Sequence, residues 1–455
     1  MMKRIFYAIA CAALLMAVLP SCDDSAELDY LTKEENPGAP GNGSKPDNPD
    51  DPDNPDNPDD PNVGGTHHAL IFYFVGIDLD SYFGANLEAV KRAVDQNILG
   101  DNRIVCFRRI GGSGSSDWAI SEIYYDRAKG CADSRVLKRY EAPDLSQMEL
   151  FLSDMVGLVP AETYGLVLGG HGSGWLPKSI GSGWSTSYSA AGAKLHGNYE
   201  NPFGEAPRED ALPTRYFGER TVMFDLEDIS AAMQAVGVEF EYMLFDDCFM
   251  SNIESLYALR DAADYIIASP CEIMAAGFPY KTVIPCIFAD GGPDLKGVCR
   301  AFYDYYMYEY SYHSACVALT CCSQLEALAE AYAALVAGAT NEVDQSTLQY
   351  YEGLARHLFY DFGQYAELLS ADTWLYKRFE EQFDLAFPPE CRFNTPSFYS
   401  AFGGRYMIDI DYYSGVTTSE PADRNIEANR ATEWYRATHR TESDDESDKK
   451  IESNR

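Results

Sequence analysis

Positively charged residues are scarce in this chain of 455 residues. Lys and Arg together number 35 against 71 Asp and Glu, which gives a formal net charge of −36. A chain with this charge is repelled by nucleic acid and by anionic membrane surfaces, so neither is expected as a binding partner. Hydrophobic residues make up 46% of the sequence, which is enough for a folded core and indicates a globular protein.

Several common ligand motifs are also missing. The cysteines nowhere show the CxxC spacing of zinc knuckles and redox sites, and the seven histidines show no ligand spacing. The glycine-rich run Gly169–Gly174 lacks the trailing Lys-Ser/Thr of a phosphate-binding loop. We therefore expect no bound metal and no cofactor, and we interpret most of the ten cysteines after Cys22 as buried free thiols.

The N-terminal apolar run, Ile5–Leu19, is too short to span a bilayer. It follows two basic residues and ends just before Cys22, which predicts a secretory signal over residues 1–21. The sequence Leu-Pro-Ser-Cys ending at Cys22 resembles the lipobox of bacterial lipoproteins, which implies that Cys22 becomes the lipidated first residue of the mature chain. An ordinary secretory signal with an incidental cysteine is the alternative. We expect an exported outer-membrane lipoprotein, and we favour exposure at the cell surface.

The rest of the chain divides by composition. Residues 22–65 are rich in Pro, Asp and Asn, and proline together with like charges predicts an extended, disordered linker. A calcium site is the alternative there, but the repeat lacks the glycine turn and terminal Glu of an EF-hand loop. The folded domain is expected over residues 66–440, and the charged segment 441–455 is expected to be a disordered tail.

Strand and helix patterns alternate from Ala69 onward. The apolar run Ala69–Val75 is typical of a strand buried on both faces. A helix is predicted next from the apolar positions Phe83, Leu87, Val90 and Val94. Asp144 and Gln147 predict a capping box at the start of a later helix. The alternation predicts a three-layer α/β/α fold with a mainly parallel sheet, followed by further helices in the C-terminal part.

Two apolar runs end beside residues that can carry out nucleophilic chemistry. His171 follows the run 164–170, and Cys248 follows the run 242–246. A helical pattern that ends at Gly237 lies between them, so the segment is a βαβ unit with parallel, adjacent strands. Both strands then end at the same edge of the sheet, where open α/β sheets bind their ligands. The spacing predicts that His171 and Cys248 are neighbours.

Such a pair is the minimum machinery of a cysteine hydrolase. A thiol needs a base to become a nucleophile, and His171 can supply it. The backbone amides of Gly172 and Cys248 could hold the oxyanion that forms on the substrate. Strand alternation predicts that Asp246 points to the same side as Cys248, where its carboxylate would attract an Arg or Lys side chain.

Four short motifs together resemble the clostripain family of cysteine peptidases. They are Gly170-His171-Gly172, Asp246-Asp247-Cys248, Ser269-Pro270-Cys271-Glu272 and Gly277-Phe278-Pro279-Tyr280. The resemblance implies a caspase-like fold, a dyad of His171 and Cys248, and cleavage after Arg or Lys, with Asp246 recognising the basic side chain. It also implies activation by self-cleavage between the two strands. Some family members respond to calcium, but no calcium site can be assigned from the sequence.

Two departures from the family pattern bear on these expectations. Asp247 stands where the family commonly has Ala, and the loop from Trp175 to Arg220 looks longer than usual. One of the loop's basic residues is the expected self-cleavage site: Lys178, Lys194, Arg208, Arg215 or Arg220. We expect a monomer that acts on protein or peptide substrates containing Arg or Lys. The alternative is a non-catalytic cell-surface binding module that keeps the caspase-like scaffold.

Overall fold

The computed structural model describes residues 66–111, 115–176, 217–219, 222–402 and 406–439. The expected signal segment, Cys22, the linker and the C-terminal tail lie outside these ranges, and so do Lys178, Lys194, Arg208, Arg215 and Arg220. Among the described residues, no helix is both long enough and apolar enough to cross a membrane.

The described strands are numbered here in chain order. The first eight are β1 (Thr66–Phe74), β2 (Arg103–Arg109), β3 (Asp117–Asp126), β4 (Cys131–Glu141), β5 (Ala161–Gly169), β6 (His171–Gly172), β7 (Phe217–Glu219) and β8 (Val222–Phe224). The next eight are β9 (Phe240–Asp246), β10 (Tyr265–Ala268), β11 (Cys316–Cys321), β12 (Tyr360–Asp361), β13 (Arg392–Asn394), β14 (Ser397–Ser400), β15 (Tyr406–Asp409) and β16 (Thr417–Thr418).

The described α-helices are numbered in the same way. Six precede β11: α1 (Asp80–Val94), α2 (Met148–Leu158), α3 (Leu226–Val236), α4 (Ile253–Ala258), α5 (Tyr280–Ile287) and α6 (Leu295–Asp304). Five follow it: α7 (Leu325–Ala337), α8 (Phe362–Leu369), α9 (Thr373–Ala386), α10 (Ile426–Arg430) and α11 (Glu433–Thr438). Single turns of other helix types lie at Tyr305–Glu309, Cys322–Gln324, Gln345–Thr347 and Pro389–Cys391.

A nine-stranded sheet forms the centre of the domain, in the order β13-β11-β10-β9-β5-β1-β2-β3-β4. The strands β10, β9, β5, β1 and β2 run parallel, whereas the strands at both edges pair antiparallel. The predicted βαβ unit is present, because β5 and β9 are adjacent and parallel with Gly169 opposite Asp246. The prediction of a mainly parallel sheet is confirmed.

Two hydrophobic cores lie on opposite faces of this sheet. Alternate residues of β1 belong to different cores, with Ile71 in one and Phe72 in the other. The first core contains the buried faces of α2, α3 and α7, and the second contains those of α1, α5 and α6. A strand covered on both sides must be apolar throughout, which explains the continuous run in β1. The predicted three-layer α/β/α fold is confirmed, and α7–α11 supply the expected C-terminal helices.

One local prediction is wrong. Asp144 does not form a capping box with Gln147, because its Oδ1 accepts hydrogen bonds from the amide and the hydroxyl of Ser146. Helix α2 begins at Met148, and Gln147 occupies the N-cap position without a side-chain capping hydrogen bond. Asp144 is thus satisfied by a local turn, an alternative that short polar side chains regularly offer the backbone.

Candidate active site

Three neighbouring strands bring polar residues to the carboxyl edge of the sheet. Asp78 follows β1, His171 follows β5 and Cys248 follows β9, and these strands lie side by side. The amide of Val75 donates to the carbonyl oxygen of Gly169 over 3.1 Å, which keeps the ends of β1 and β5 together. His171 lies in β6, which pairs antiparallel with β7, so that His171 is opposite Gly218.

The segment carrying His171 packs directly on the backbone of Cys248. A Cβ atom added to Gly172 would lie 2.2 Å from the carbonyl oxygen of Cys248 and 2.5 Å from Oδ1 of Asp247. No side chain fits into such a gap, so the approach of the two segments requires glycine at position 172. The structure therefore brings the segments of His171 and Cys248 together, at the edge where the sequence places them.

The Cys248 thiol is partly buried and is held by a neighbouring backbone amide. Its Sγ accepts a hydrogen bond from the amide of Ile273 over 3.4 Å. The carbonyl oxygen of Ile273 lies 3.9 Å from Sγ and can accept from the neutral thiol, so both backbone groups of Ile273 engage the Cys248 side chain. After Cys248 the chain runs beside the Ser269–Glu272 motif, since the amides of Phe249 and Ser251 donate to the carbonyls of Cys271 and Ser269. That motif therefore fixes the position of Cys248.

Phe249, the residue after Cys248, has left-handed backbone geometry with φ of +62°. For a bulky side chain this conformation costs on the order of 1–3 kcal/mol and persists only when surrounding contacts impose it. The Phe249 ring is fully buried and stacks on Phe359, with the ring centroids 4.9 Å apart. The strained turn re-aims the chain directly after the thiol.

His171 contacts a carboxylate that the sequence analysis missed. Its Nε2 lies 3.1 Å from Oδ2 and 3.2 Å from Oδ1 of Asp78. Partial burial tends to raise the pKa of the Asp78 carboxyl, but the hydrogen bond and charge of His171 and the amides of Asp78 and Leu79 outweigh it, so the pKa is lowered. The sequence did contain one signal for this contact. Asp78 stands just beyond an apolar run, and the strand formed by that run lies beside the strand that precedes His171.

Asp246 is the last residue of β9 and lies almost completely buried. Its Oδ2 accepts hydrogen bonds from the hydroxyl of Tyr280 over 2.7 Å and from the amide of Phe278 over 3.4 Å. Within the described residues no hydrogen bond reaches Oδ1. Burial raises the pKa of this carboxyl to about 6, although the two hydrogen bonds oppose the shift.

The Gly277–Tyr280 motif packs around the carboxylate of Asp246 and positions it. Gly277 has φ of +67°, and a Cβ atom added there would lie 2.5 Å from Oδ2 of Asp246. Glycine is thus required both by the backbone conformation and by the close approach of the carboxylate. Two of the motif's other residues donate to that carboxylate, so the whole motif serves to place one acidic group.

Asp247 engages the backbone of the candidate nucleophile. The Cys248 amide donates to Oδ1 of Asp247 over 2.8 Å, and only 1% of Asp247 is exposed. Oδ2 of Asp247 is buried without a hydrogen-bond partner among the described residues. Burial raises the pKa of this carboxyl well above its ordinary value, and the neighbouring Asp246 adds to the effect. The Cys248 amide is therefore occupied, and it can hold an oxyanion only after Asp247 moves away.

A metal site is not evident near these residues or elsewhere in the ranges that the structure describes. Those ranges contain no group of three or more His, Cys, Asp or Glu side chains that could hold a metal ion. The ten cysteines there are all free thiols, and most of them are buried, in agreement with the sequence analysis. The absence of a cofactor stays a prediction.

The chain matches the sequence model of the clostripain family over residues 217–445, which include Asp246 and Cys248. A secreted C11 cysteine protease from Bacteroides thetaiotaomicron, iotapain, is 30% identical with a TM-score of 0.69; the match covers 82% of this chain and 100% of that one. An inactive zymogen C11 protease from Parabacteroides distasonis is 25% identical with a TM-score of 0.64; the match covers 82% of this chain and 98% of that one.

A secreted C11 cysteine protease from Bacteroides thetaiotaomicron in complex with an irreversible peptide inhibitor shares the fold. It is 21% identical with a TM-score of 0.66, and the match covers 82% of this chain and 98% of that one. No curated protein sequence gave a match. The family match extends over half of the chain, and the three-layer fold agrees with it. The chain therefore belongs to the clostripain family and is a cysteine endopeptidase.

Proposed function

We propose that this endopeptidase cleaves peptide bonds after Arg or Lys with a dyad of His171 and Cys248. The packing of Gly172 on the backbone of Cys248 carries the proposal, because it joins the base and the nucleophile at one edge of the sheet. The Ile273 amide holds the thiol and Asp78 holds the imidazole, and both contacts support a proton transfer between the two side chains. Family membership favours this reaction over a non-catalytic binding module.

The reaction proceeds through an acyl-enzyme. His171 takes the proton of the Cys248 thiol, and the thiolate attacks the scissile carbonyl carbon while the carbonyl π electrons move onto oxygen. The Gly172 amide and the Cys248 amide, once released by Asp247, hold this oxyanion. Collapse breaks the C–N bond, and the leaving amine takes its proton from the imidazolium. Water, deprotonated by His171, then hydrolyses the thioester and regenerates the thiol.

Asp246 gives the specificity for basic residues. Its Oδ2 is held by Tyr280 and Phe278, so the orientation of the carboxylate is fixed before substrate binds. A guanidinium or ammonium group that reaches Oδ1 would form a charge-assisted hydrogen bond in a largely water-free site. Substrate binding also stabilises the ionised carboxylate, whose burial otherwise favours its neutral form.

Activation is proposed to occur by self-cleavage in the loop between the dyad residues. The candidate sites are Lys178, Lys194, Arg208, Arg215 and Arg220. The far end of this loop lies at the active site, because β7 pairs with His171 and Gly172. A relative of this chain is described as an inactive zymogen, which supports a latent form.

Export and lipid anchoring at Cys22 complete the proposal. The basic residues, the apolar run and Cys22 have the order of a lipoprotein signal, and the relative iotapain is described as secreted. The acidic linker would then hold the peptidase away from the outer membrane. Labelling with palmitate of wild type and Cys22→Ser tests the anchor, and equal labelling would reject it.

One assay tests the enzymatic proposal. Wild type and Cys248→Ala are incubated with reporter peptides that end in Arg, Lys or Ala, before and after limited proteolysis. We expect wild type to hydrolyse the Arg and Lys peptides and not the Ala peptide, and Cys248→Ala to hydrolyse none. Wild type that cleaves neither basic peptide after proteolysis would refute the proposed specificity.

A further inference from the structure

Asp78 holds a position that couples it to the base of the proposed dyad. It follows β1, the strand beside the one that precedes His171, and Nε2 of His171 lies 3.2 Å from Oδ1 and 3.1 Å from Oδ2 of its carboxylate. The side chain of His171 is 26% exposed, whereas that of Asp78 is 47% exposed. The contact therefore lies at the rim of the site and not in the core.

The contact determines which nitrogen of His171 carries a proton. An ionised carboxylate has only acceptor sites, so Nε2 must donate to Asp78. The neutral imidazole then has its lone pair on Nδ1, which becomes the basic nitrogen. When His171 takes the thiol proton, the resulting imidazolium carries its charge beside the Asp78 carboxylate. The lowered pKa of Asp78 is consistent with a carboxylate that stays ionised there.

The loop that carries Asp78 is clamped by neighbouring charges. Arg109 donates through Nη2 to the carbonyl oxygen of Ile77 over 3.1 Å, and Arg108 and Arg109 both form ion pairs with Asp80. From the chain just after β9, the Asp247 carboxylate and the carbonyl oxygen of Cys248 approach the His171 segment at Gly172, so Asp247 and Cys248 are the titratable residues nearest to it on that side. Because the residues on both sides of Asp78 are fixed, its carboxylate is presented to His171 in a set orientation.

We propose that Asp78 is a positioning residue that sets the tautomer and orientation of His171 and stabilises its imidazolium. The inference rests on the proposed dyad and extends it to three residues that follow three adjacent strands. Asp78 does not touch the substrate and exchanges no proton: the proton of the Cys248 thiol passes to Nδ1 of His171 and from there to the leaving amine. The carboxylate stays ionised throughout.

The chain contains a matched control for this contact. His67 lies in β1 and Glu162 in β5, near the ends of these strands that are far from Asp78 and His171, and Nδ1 of His67 lies 3.0 Å from Oε2 of Glu162. Glu162→Gln removes a carboxylate–imidazole contact of the same kind without approaching the proposed dyad. Asp78→Asn, Asp78→Ala and Asp78→Glu are compared with it and with wild type.

Catalysis and titration are both measured. We expect Asp78→Asn and Asp78→Ala to lower kcat for an Arg reporter roughly tenfold to a hundredfold with little change in KM, by analogy with carboxylates that orient metal-bound histidines. The acidic limb of the pH profile should move to lower pH, because the imidazole that must accept the thiol proton is protonated less readily without its carboxylate. Asp78→Glu should restore part of kcat, and Glu162→Gln should match wild type. Unchanged kcat and an unchanged profile in Asp78→Asn, with an active wild type, would overturn this inference alone.

A titration separates this result from failure of the proposed peptidase activity. Histidine signals are followed by NMR in Cys248→Ala with and without Asp78→Asn, so that no catalysis is needed. We expect the signal of His171, assigned with His171→Ala, to titrate at lower pH when Asp78 is replaced. Identical titration of His171 in both proteins would overturn the role of Asp78 even if no substrate were cleaved.

Discussion

The amide of Cys248, just past the end of β9, donates a hydrogen bond to Oδ1 of Asp247 over 2.8 Å, so the N–H group of the proposed nucleophile is already occupied. Asp247 is buried, and Gly172 lies against the same carboxylate. The acidic residue thus sits between the two backbone segments that are proposed to hold the oxyanion. It stands where the resemblance to the clostripain family leads one to expect Ala.

Removing the side chain of Asp247 should release the Cys248 amide. A single oxyanion donor is worth roughly a hundredfold or more in kcat, so we expect Asp247→Ala to raise kcat for an Arg reporter several-fold to roughly a hundredfold. Asp247→Asn is the control, because its side-chain oxygen can still accept the hydrogen bond from the Cys248 amide. A kcat for Asp247→Ala at or below that of wild type, with unchanged thermal stability, would show that the contact does not restrain catalysis.

The preference for basic substrates should depend on the ionisation of Asp246. Its pKa of about 6 is raised by burial, so the carboxyl is neutral below that pH and charged above it. We expect kcat/KM for an Arg reporter to fall as the pH drops through about 6, relative to an uncharged norleucine reporter. Asp246→Asn should abolish that difference and cost about 2 kcal/mol or more, or roughly thirtyfold in kcat/KM for Arg.

Comparing the two reporters separates the effect of Asp246 ionisation on kcat/KM from the effects of other groups that titrate. Tyr280 can still donate to an Asn side chain, so Asp246→Asn should keep the local fold. An Arg preference that survives in Asp246→Asn, or one that does not change between pH 5 and pH 8, would place the specificity elsewhere.

Glycine should be irreplaceable at position 172. A methyl group there meets the carbonyl oxygen of Cys248 at 2.2 Å, which forces the two segments apart. Displacements of about 1 Å in an active site can cost roughly a hundredfold in rate, and we expect Gly172→Ala to lose at least that much activity. Gly157→Ala in α2 is the control, because nothing lies within 4 Å of its added methyl group. Wild-type activity in Gly172→Ala would contradict the packing described here.

Cleavage of the loop should leave the two fragments associated. A cut after any of the five basic loop residues places β5 on one fragment and β9 on the other. These strands pair in parallel at the centre of the sheet, and after a cut at any of the first four sites the pairing of β6 with β7 also joins the two fragments. We expect the fragments to co-elute on size exclusion and to separate only on a denaturing gel. Fragments that elute separately under native conditions would contradict this account of activation.

Much of the fold could be predicted because the relevant patterns are local. Continuous apolar runs identified the buried parallel strands, and the helix ending at Gly237 identified the crossover that makes β5 and β9 adjacent. The strand β4 was missed because it lies at the sheet edge with most of its residues partly or fully exposed, and so has no apolar run. The capping box was wrong because Asp144 found a nearer partner in Ser146.

The site could be predicted only in part from the sequence. His171, Cys248 and Asp246 stand next to recognisable strands and glycines, and the structure places them at one edge. Asp78 lies 93 positions from His171, and only the sheet order brings them into contact. The contact between Asp247 and the Cys248 amide depends on side-chain rotation at the end of a strand, which a residue pattern does not specify.

The central claim is that His171 activates Cys248 for attack on a peptide carbonyl after a basic residue. A peptidyl ketone that ends in Arg and alkylates thiols tests it, with the modified residue identified by mass spectrometry in wild type and in His171→Ala. The exposed thiol of Cys131 serves as an internal control for nonspecific alkylation. We predict rapid modification of Cys248 in wild type, slow modification in His171→Ala and no preference for Cys131. Modification of Cys131 in preference to Cys248, or equal rates at Cys248 in both proteins, would contradict the claim.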